Sequence, residues 1–133
     1  MNRVFADTFY FLALLNPKDA AHAKAVEAAL AIRGELVTTA WVLTELADAM
    51  SAPENRLEFI ATLEDLRHNA QVRIVPPDAA EFDAGIELFR NRRDKDWSLT
   101  DCISFAVMSR HGITDALTGD KHFEQVGFRA LLK

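Results

Sequence analysis

Four carboxylates, Asp7, Glu45, Asp101 and Asp120, are far apart along the chain. Gathered in one place, they would suit a hard divalent cation, which takes oxygen ligands, keeps several of its waters and needs no Cys/His cluster. Each acid also has a simpler reading. Asp101 stands three residues after Ser98 and reads as the acid of a capping box, favourable at a helix N-terminus. Asp7 reads as an N-cap and Asp120 as a turn residue. The choice depends on whether the elements around them carry all four to the same point.

Those elements can be read from periodicity and breakers. Arg3 to Ala6 is a short apolar run that breaks into a helix at Asp7, continues through Leu15 and stops at Asn16-Pro17. Ala-rich sequence from Asp19 to Ile32 predicts a helix closed by Gly34. Glu35–Thr39 predicts a second strand, followed by a helix from Trp41 to Met50 and another from Pro53 to His68. Gln71–Val75 predicts a third strand ended by Pro76-Pro77, after which Asp78 caps a helix to Arg92. A polar loop, Asn91 to Asp96, leads into the apolar helix that Asp101 opens and Gly112 closes. Ile113 to Thr118 predicts a fourth strand, and Phe128–Leu132 a short last one. Strands alternating with helices imply a parallel sheet covered on both faces, an α/β class.

Parallel sheets bind ligands beyond the carboxyl ends of their strands. Asp7 ends the first strand and Asp120 follows the fourth by one glycine, so the two are neighbours. Asp101 opens the helix before the fourth strand, and Glu45 lies in the helix after the second. In that helix Val42, Leu43, Leu46, Ala49 and Met50 form one apolar stripe. Asp48 falls opposite the stripe, and Glu45 on its flank, roughly 100° from the centre, able to turn toward a cleft. Asp115, at the start of the fourth strand, is about 16 Å from Asp120 if extended and is excluded. Asp96 is close enough to matter but reads as a surface residue.

The bulk numbers narrow the function classes. A chain of 133 residues, half of them hydrophobic, suits one domain spanning 1–133 with a sizeable core. The net charge of −5, from 20 acids against 15 Lys and Arg, argues against broad adhesion to nucleic acid or anionic membranes. It leaves room for a nucleic-acid enzyme, because acids that hold a cation are neutralised by it. The single cysteine, Cys102, permits neither an internal disulfide nor a cysteine-rich zinc site, so a reducing cytoplasm is expected. No signal peptide or membrane span is expected.

Val4-Phe5-Ala6-Asp7-Thr8, Glu45, Ser98-Leu99-Thr100-Asp101-Cys102 and Leu117-Thr118-Gly119-Asp120-Lys121-His122-Phe123 together resemble the PIN-domain family. The likeness is closest to the VapC-type ribonuclease toxins of prokaryotic toxin–antitoxin pairs. The resemblance implies a three-layer α/β/α fold with strand order 3-2-1-4-5. It implies that Asp7, Glu45, Asp101 and Asp120 bind Mg²⁺ or Mn²⁺, with Thr8 and Thr118 as hydroxyls beside them. It also implies a homodimer and a small antitoxin partner that covers the site. A metal-dependent, in-line attack of water on an RNA phosphodiester is then expected, leaving a 5′-phosphate and a 3′-hydroxyl.

Positive charge to hold RNA is available in Arg90, Arg92, Arg93 and Lys95 before the Asp101 helix, and in Lys121 beside Asp120. Trp97 is a candidate to stack on an unpaired base, although it also suits the edge of a core. No histidine is assigned a catalytic role; His122 reads as structural. A haloacid-dehalogenase phosphatase would want an Asp where Phe9 stands, and a receiver domain an acceptor Asp where Pro76-Pro77 stand. The alternative of a different class is a non-catalytic module of the same fold, gripping an Arg of an antitoxin-like partner, or RNA, through the acidic pocket.

Overall fold

A computed structural model describes residues 3–133. Five strands, β1 (Arg3–Ala6), β2 (Glu35–Thr39), β3 (Val72–Val75), β4 (Asp115–Leu117) and β5 (Arg129–Ala130), form one sheet. Its order is β3-β2-β1-β4-β5 and every pairing is parallel. In β1, β2 and β4 successive residues are buried, not alternate ones. A strand buried on both faces must be covered on both, which gives the three-layer α/β/α arrangement. The expected class and strand order are both found.

The covering helices are α1 (Thr8–Leu15), α2 (His22–Ala31), α3 (Ala40–Ala49), α4 (Arg56–His68), α5 (Ala79–Asn91), α6 (Leu99–His111) and α7 (Lys121–Val126). A single 3₁₀ turn at Pro53–Asn55 leads into α4. The core is centred on α6, whose Phe105 ring meets Trp97 and Phe123 edge-on at 5.2 and 4.9 Å. Such edge-to-face packing suits the ring quadrupoles. Gly85 lets α5 lie close against α6: a Cβ there would stand 3.1 Å from the Ile103 backbone. This apolar setting fixes α6, and with it the residue that opens it.

Several bounds differ from the sequence expectation: β5 is only Arg129–Ala130, α7 forms where the sequence predicts only a turn at Asp120, and α2 and β4 shift for local reasons. α2 begins at His22, not Asp19, because Asp19 Oδ1 accepts from Ala21 N–H at 2.8 Å and sets a turn first. It ends with Ile32 in extended backbone; Gly34 is not a left-handed cap, a role that Gly112 and Gly127 fill elsewhere. β4 is shorter than Ile113 to Thr118. Ile113 N–H is taken by Met108 O at 2.9 Å, closing α6, and Thr118 N–H by Ala116 O at 3.0 Å. Neither amide is left for the ladder. Among the described residues, no helix is long and apolar enough to cross a membrane.

Candidate active site

β1 and β4 are adjacent, and the amide of Asp7 carries their pairing one step further by donating to Leu117 O at 3.4 Å. Asp7 therefore stands beside the residue that follows Leu117. That residue, Thr118, is fully buried and its Oγ1 donates to Asp7 Oδ2 at 2.9 Å. The same Oγ1 accepts from Asp120 N–H at 3.1 Å. One hydroxyl thus sets both acids. Although Asp7 is at the N-cap position of α1, its side chain makes no capping bond. It points into the site instead.

Asp120 caps α7, with Oδ1 accepting from His122 N–H at 2.9 Å. At Gly119 a Cβ would lie 2.6 Å from the Phe9 ring, so the missing side chain lets α1 approach the turn that carries Asp120. Asp101 completes the expected capping box: Ser98 Oγ accepts from Asp101 N–H at 3.0 Å, and Asp101 Oδ2 from Ser98 N–H at 3.3 Å. Here the simple reading and the functional one hold together. The cap uses one oxygen of Asp101 and leaves the other for the site. Glu45 reaches the site from the flank of α3 and accepts a hydrogen bond from Thr8 Oγ1 through Oε1. Asp48 on the same helix is exposed, as its place opposite the stripe requires.

The four acids line one cleft of about 400 Å³ together with Thr8, Phe9, Asp96, Ser98 and His122. A larger groove of about 660 Å³ lies between α3, α4 and β3, but it is apolar and holds no cluster of ionisable side chains. Each acid is gripped through one oxygen: Oδ2 of Asp7, Oε1 of Glu45, Oδ2 of Asp101 and Oδ1 of Asp120. The second oxygens of Glu45, Asp101 and Asp120 accept no hydrogen bond among the described residues. No Lys or Arg of the described residues pairs with any of the four; the one basic neighbour is His122.

Unneutralised acids this close raise one another's pKa. Burial, with only 6% of Asp7 exposed, pushes its carboxyl up to about 7. The Thr118 hydrogen bond opposes that shift, while Asp101 and Glu45 add to it. Asp101 is raised too, chiefly by burial and then by Asp120, against the His122 hydrogen bond. A site that gathers carboxylates at this cost suits a cation, whose charge would offset theirs. Its donors are carboxylate oxygens on side chains already oriented, and they fit Mg²⁺ or Mn²⁺. Asp101, Asp120 and His122 also bring ligand atoms within 4.8 Å of one another.

The basic residues fare differently. Trp97 is 4% exposed: its Nε1–H donates to Gln125 Oε1 at 2.7 Å and the Arg92 guanidinium lies 5.0 Å over its ring. It seals the core edge and offers no face to a base, which corrects the stacking expectation. Arg92 is engaged in that packing and bonded to Asp94 at 3.0 Å, while Arg90 pairs with Glu87 at 2.8 Å within α5. Arg93, Lys95 and Lys121 have no ion-pair partner among the described residues. Sequence reasoning undervalued His122, whose ring stands between Asp101 and Asp96. Only its place two residues after Asp120 was available as a signal, because the sequence predicts a turn there and not the helix that carries it, α7.

Comparisons with known proteins bear on the family and the fold. Among curated proteins, none matches the chain. The solved structure of the VapC20 toxin of Mycobacterium tuberculosis, which cleaves the sarcin–ricin loop, is 27% identical, with a TM-score of 0.86 over 94% of this chain and 95% of that one. FitAcB of Neisseria gonorrhoeae, at 20% identity and a TM-score of 0.67 over 96% of this chain and 95% of that one, shares the fold. So does VapBC2 of Rickettsia felis, solved with a DNA fragment from its promoter, at 15% identity and 0.68 over 96% of each chain. The family model for the PIN domain matches residues 4–129, and the chain belongs to that family.

Proposed function

We propose that this chain is a divalent-metal-dependent endoribonuclease and the toxin of a VapC-type toxin–antitoxin pair, acting in the cytoplasm as a homodimer. The observation that carries the reading is the cleft in which Asp7, Glu45, Asp101 and Asp120 converge with no Lys or Arg of the described residues to neutralise them. The family and the likeness to VapC20 support ribonuclease chemistry. The likeness to the VapC20 toxin, and of the fold to VapBC2, supports a small antitoxin as partner.

In this mechanism Asp7, Asp101 and Asp120 would hold the ion, and Glu45 would orient a water or a second ion. Bound there, Mg²⁺ or Mn²⁺ would supply Lewis acidity, lowering the pKa of the attacking water and stabilising charge on the phosphoryl oxygens. Thr118 and Thr8 keep the carboxylates of Asp7 and Glu45 from turning away, the usual task of groups behind a metal's ligands. Arg93, Lys95 and Lys121 contact phosphates and position the RNA without reading its sequence. The scissile phosphodiester enters from the open side of the cleft, and the products carry a 5′-phosphate and a 3′-hydroxyl.

The test is cleavage of a mixed RNA pool with and without Mg²⁺ or Mn²⁺, wild type beside Asp101→Asn. Cleavage only by the wild type and only with metal is expected. Tight, metal-independent binding of a partner without cleavage would favour the binding-module reading instead.

A further inference from the structure

We propose that His122 is a positioning residue of this site, fixing which oxygen of Asp101 faces the metal; the inference rests on the metal-site reading above. A carboxylate turns easily about its last side-chain bond, whose torsional wells are broad. At Asp101 that freedom is removed from two sides. Oδ2 accepts from Ser98 N–H at 3.3 Å and lies 3.1 Å from His122 Nδ1. The same Nδ1 lies 3.5 Å from Asp120 Oδ1, so the imidazole sits between the two acids and adds a second hold on Asp101 beside the cap. Oδ1, with no protein donor among the described residues, is then the oxygen presented to the cleft.

The ring is itself anchored. The amide of His122 donates to Asp120 Oδ1, which ties the base of the side chain to a second acid of the cluster. On its far side, Nε2 is 3.1 Å from Asp96 Oδ1. Asp96 is mostly exposed, but it precedes Trp97, whose burial fixes the backbone at that point. The imidazole thus bridges a loop carboxylate and a cleft carboxylate, with only 16% of its side chain exposed. An Asp96–His122–Asp101 relay of this kind orients a ligand from behind, and such groups are worth about 10–100-fold in metal affinity. Both ring nitrogens face carboxylate oxygens, so the bond to Asp101 needs a proton on Nδ1 and the full bridge to Asp96 needs the cationic ring, which donates from both nitrogens.

That donor can be mimicked. An Asn amide nitrogen takes roughly the place of Nδ1, so His122→Asn keeps a donor to Asp101, whereas His122→Ala removes it. The experiment is a Mn²⁺ titration of each purified protein, followed by the electron paramagnetic resonance of the free ion, with thermal melting beside it. His122→Ala should bind Mn²⁺ about tenfold more weakly than wild type. His122→Asn should recover most of that loss, and Asp96→Ala, in an exposed loop, should show a smaller loss in the same direction. The bound Mn²⁺ of the wild type should show no coupling to a directly coordinated ¹⁴N.

Wild-type affinity in His122→Ala would overturn the proposal, and so would equal weakening in the Asn and Ala variants. A ¹⁴N coupling lost in His122→Asn would overturn it too, making the ring a metal ligand. A wild-type protein that binds no Mn²⁺ would bring down the metal-site reading itself, a distinct result.

Discussion

The two ends of β4 hold acids in opposite states. At its start, Asp115 is buried and grips Arg129 of β5 through two parallel hydrogen bonds of 2.8 and 2.9 Å, a closed pair. Just past its end, Asp120 faces Asp7, Glu45 and Asp101 with hydroxyl, amide and imidazole partners but no Lys or Arg among the described residues. A buried carboxylate needs compensation. At the amino end of the strand the protein supplies it as a guanidinium across the β4–β5 register. At the carboxyl end it supplies hydrogen bonds and one imidazole for four acids, an excess of negative charge that suits a cation from outside. That difference, and not the number of acids, separates a structural pair from a site.

If the contrast is sound, removing one charge at the carboxyl end should abolish function while leaving the fold. Asp101→Asn should lose all metal-dependent RNA cleavage and keep its far-ultraviolet circular dichroism. Thr118→Val removes the hydroxyl shared by Asp7 and Asp120 and should lower the cleavage rate by about 10–100-fold. Its KM for RNA should be nearly unchanged, since Thr118 is buried.

The third expectation concerns pH. The folded-state value of Asp7, about 7, lies above its ordinary 3.8. Between those values the native protein keeps a proton that the unfolded chain has lost, so stability falls as pH rises through that window. Metal-free wild type should therefore melt lower at pH 8 than at pH 5, and Asp7→Asn should lose most of that difference. The effect is on the order of a few kcal/mol at most. Saturating Mn²⁺ should restore the wild type at pH 8 and leave Asp7→Asn nearly unmoved. The smallest effect belongs to the amino end of β4. The Arg129 side chain is largely exposed, so Asp115→Ala should lower Tm by only a few degrees and cleave RNA at the wild-type rate.

Much of this contrast was legible in the sequence. Asp7 and Asp120 follow strands that a parallel sheet places side by side, and Asp115 is one strand's length away from Asp120. Topology alone sorts those three. Glu45 was legible as a flank residue because helical periodicity separates it from Asp48. Less legible were features set by side-chain partners. Trp97 has the composition of a base-stacking residue, and only packing against Phe105 and under Arg92 shows that its faces are taken. His122 looks structural, in a stretch that reads as a turn and not a helix, until α7 forms and α6 brings Asp101 against it. Gly34 carries the usual signal of a helix cap, yet the chain leaves α2 through extended backbone before reaching it. Local patterns decide which elements form; pairings between distant residues decide which side chains are free.

The most direct test is the anomalous diffraction of crystals grown with Mn²⁺. One strong peak should lie about 2.0–2.3 Å from carboxylate oxygens of Asp7, Asp101 and Asp120, with Asp115 still closed on Arg129. A cleft without that peak at saturating Mn²⁺, or a lysine or arginine side chain swung in to neutralise the acids, would contradict the account.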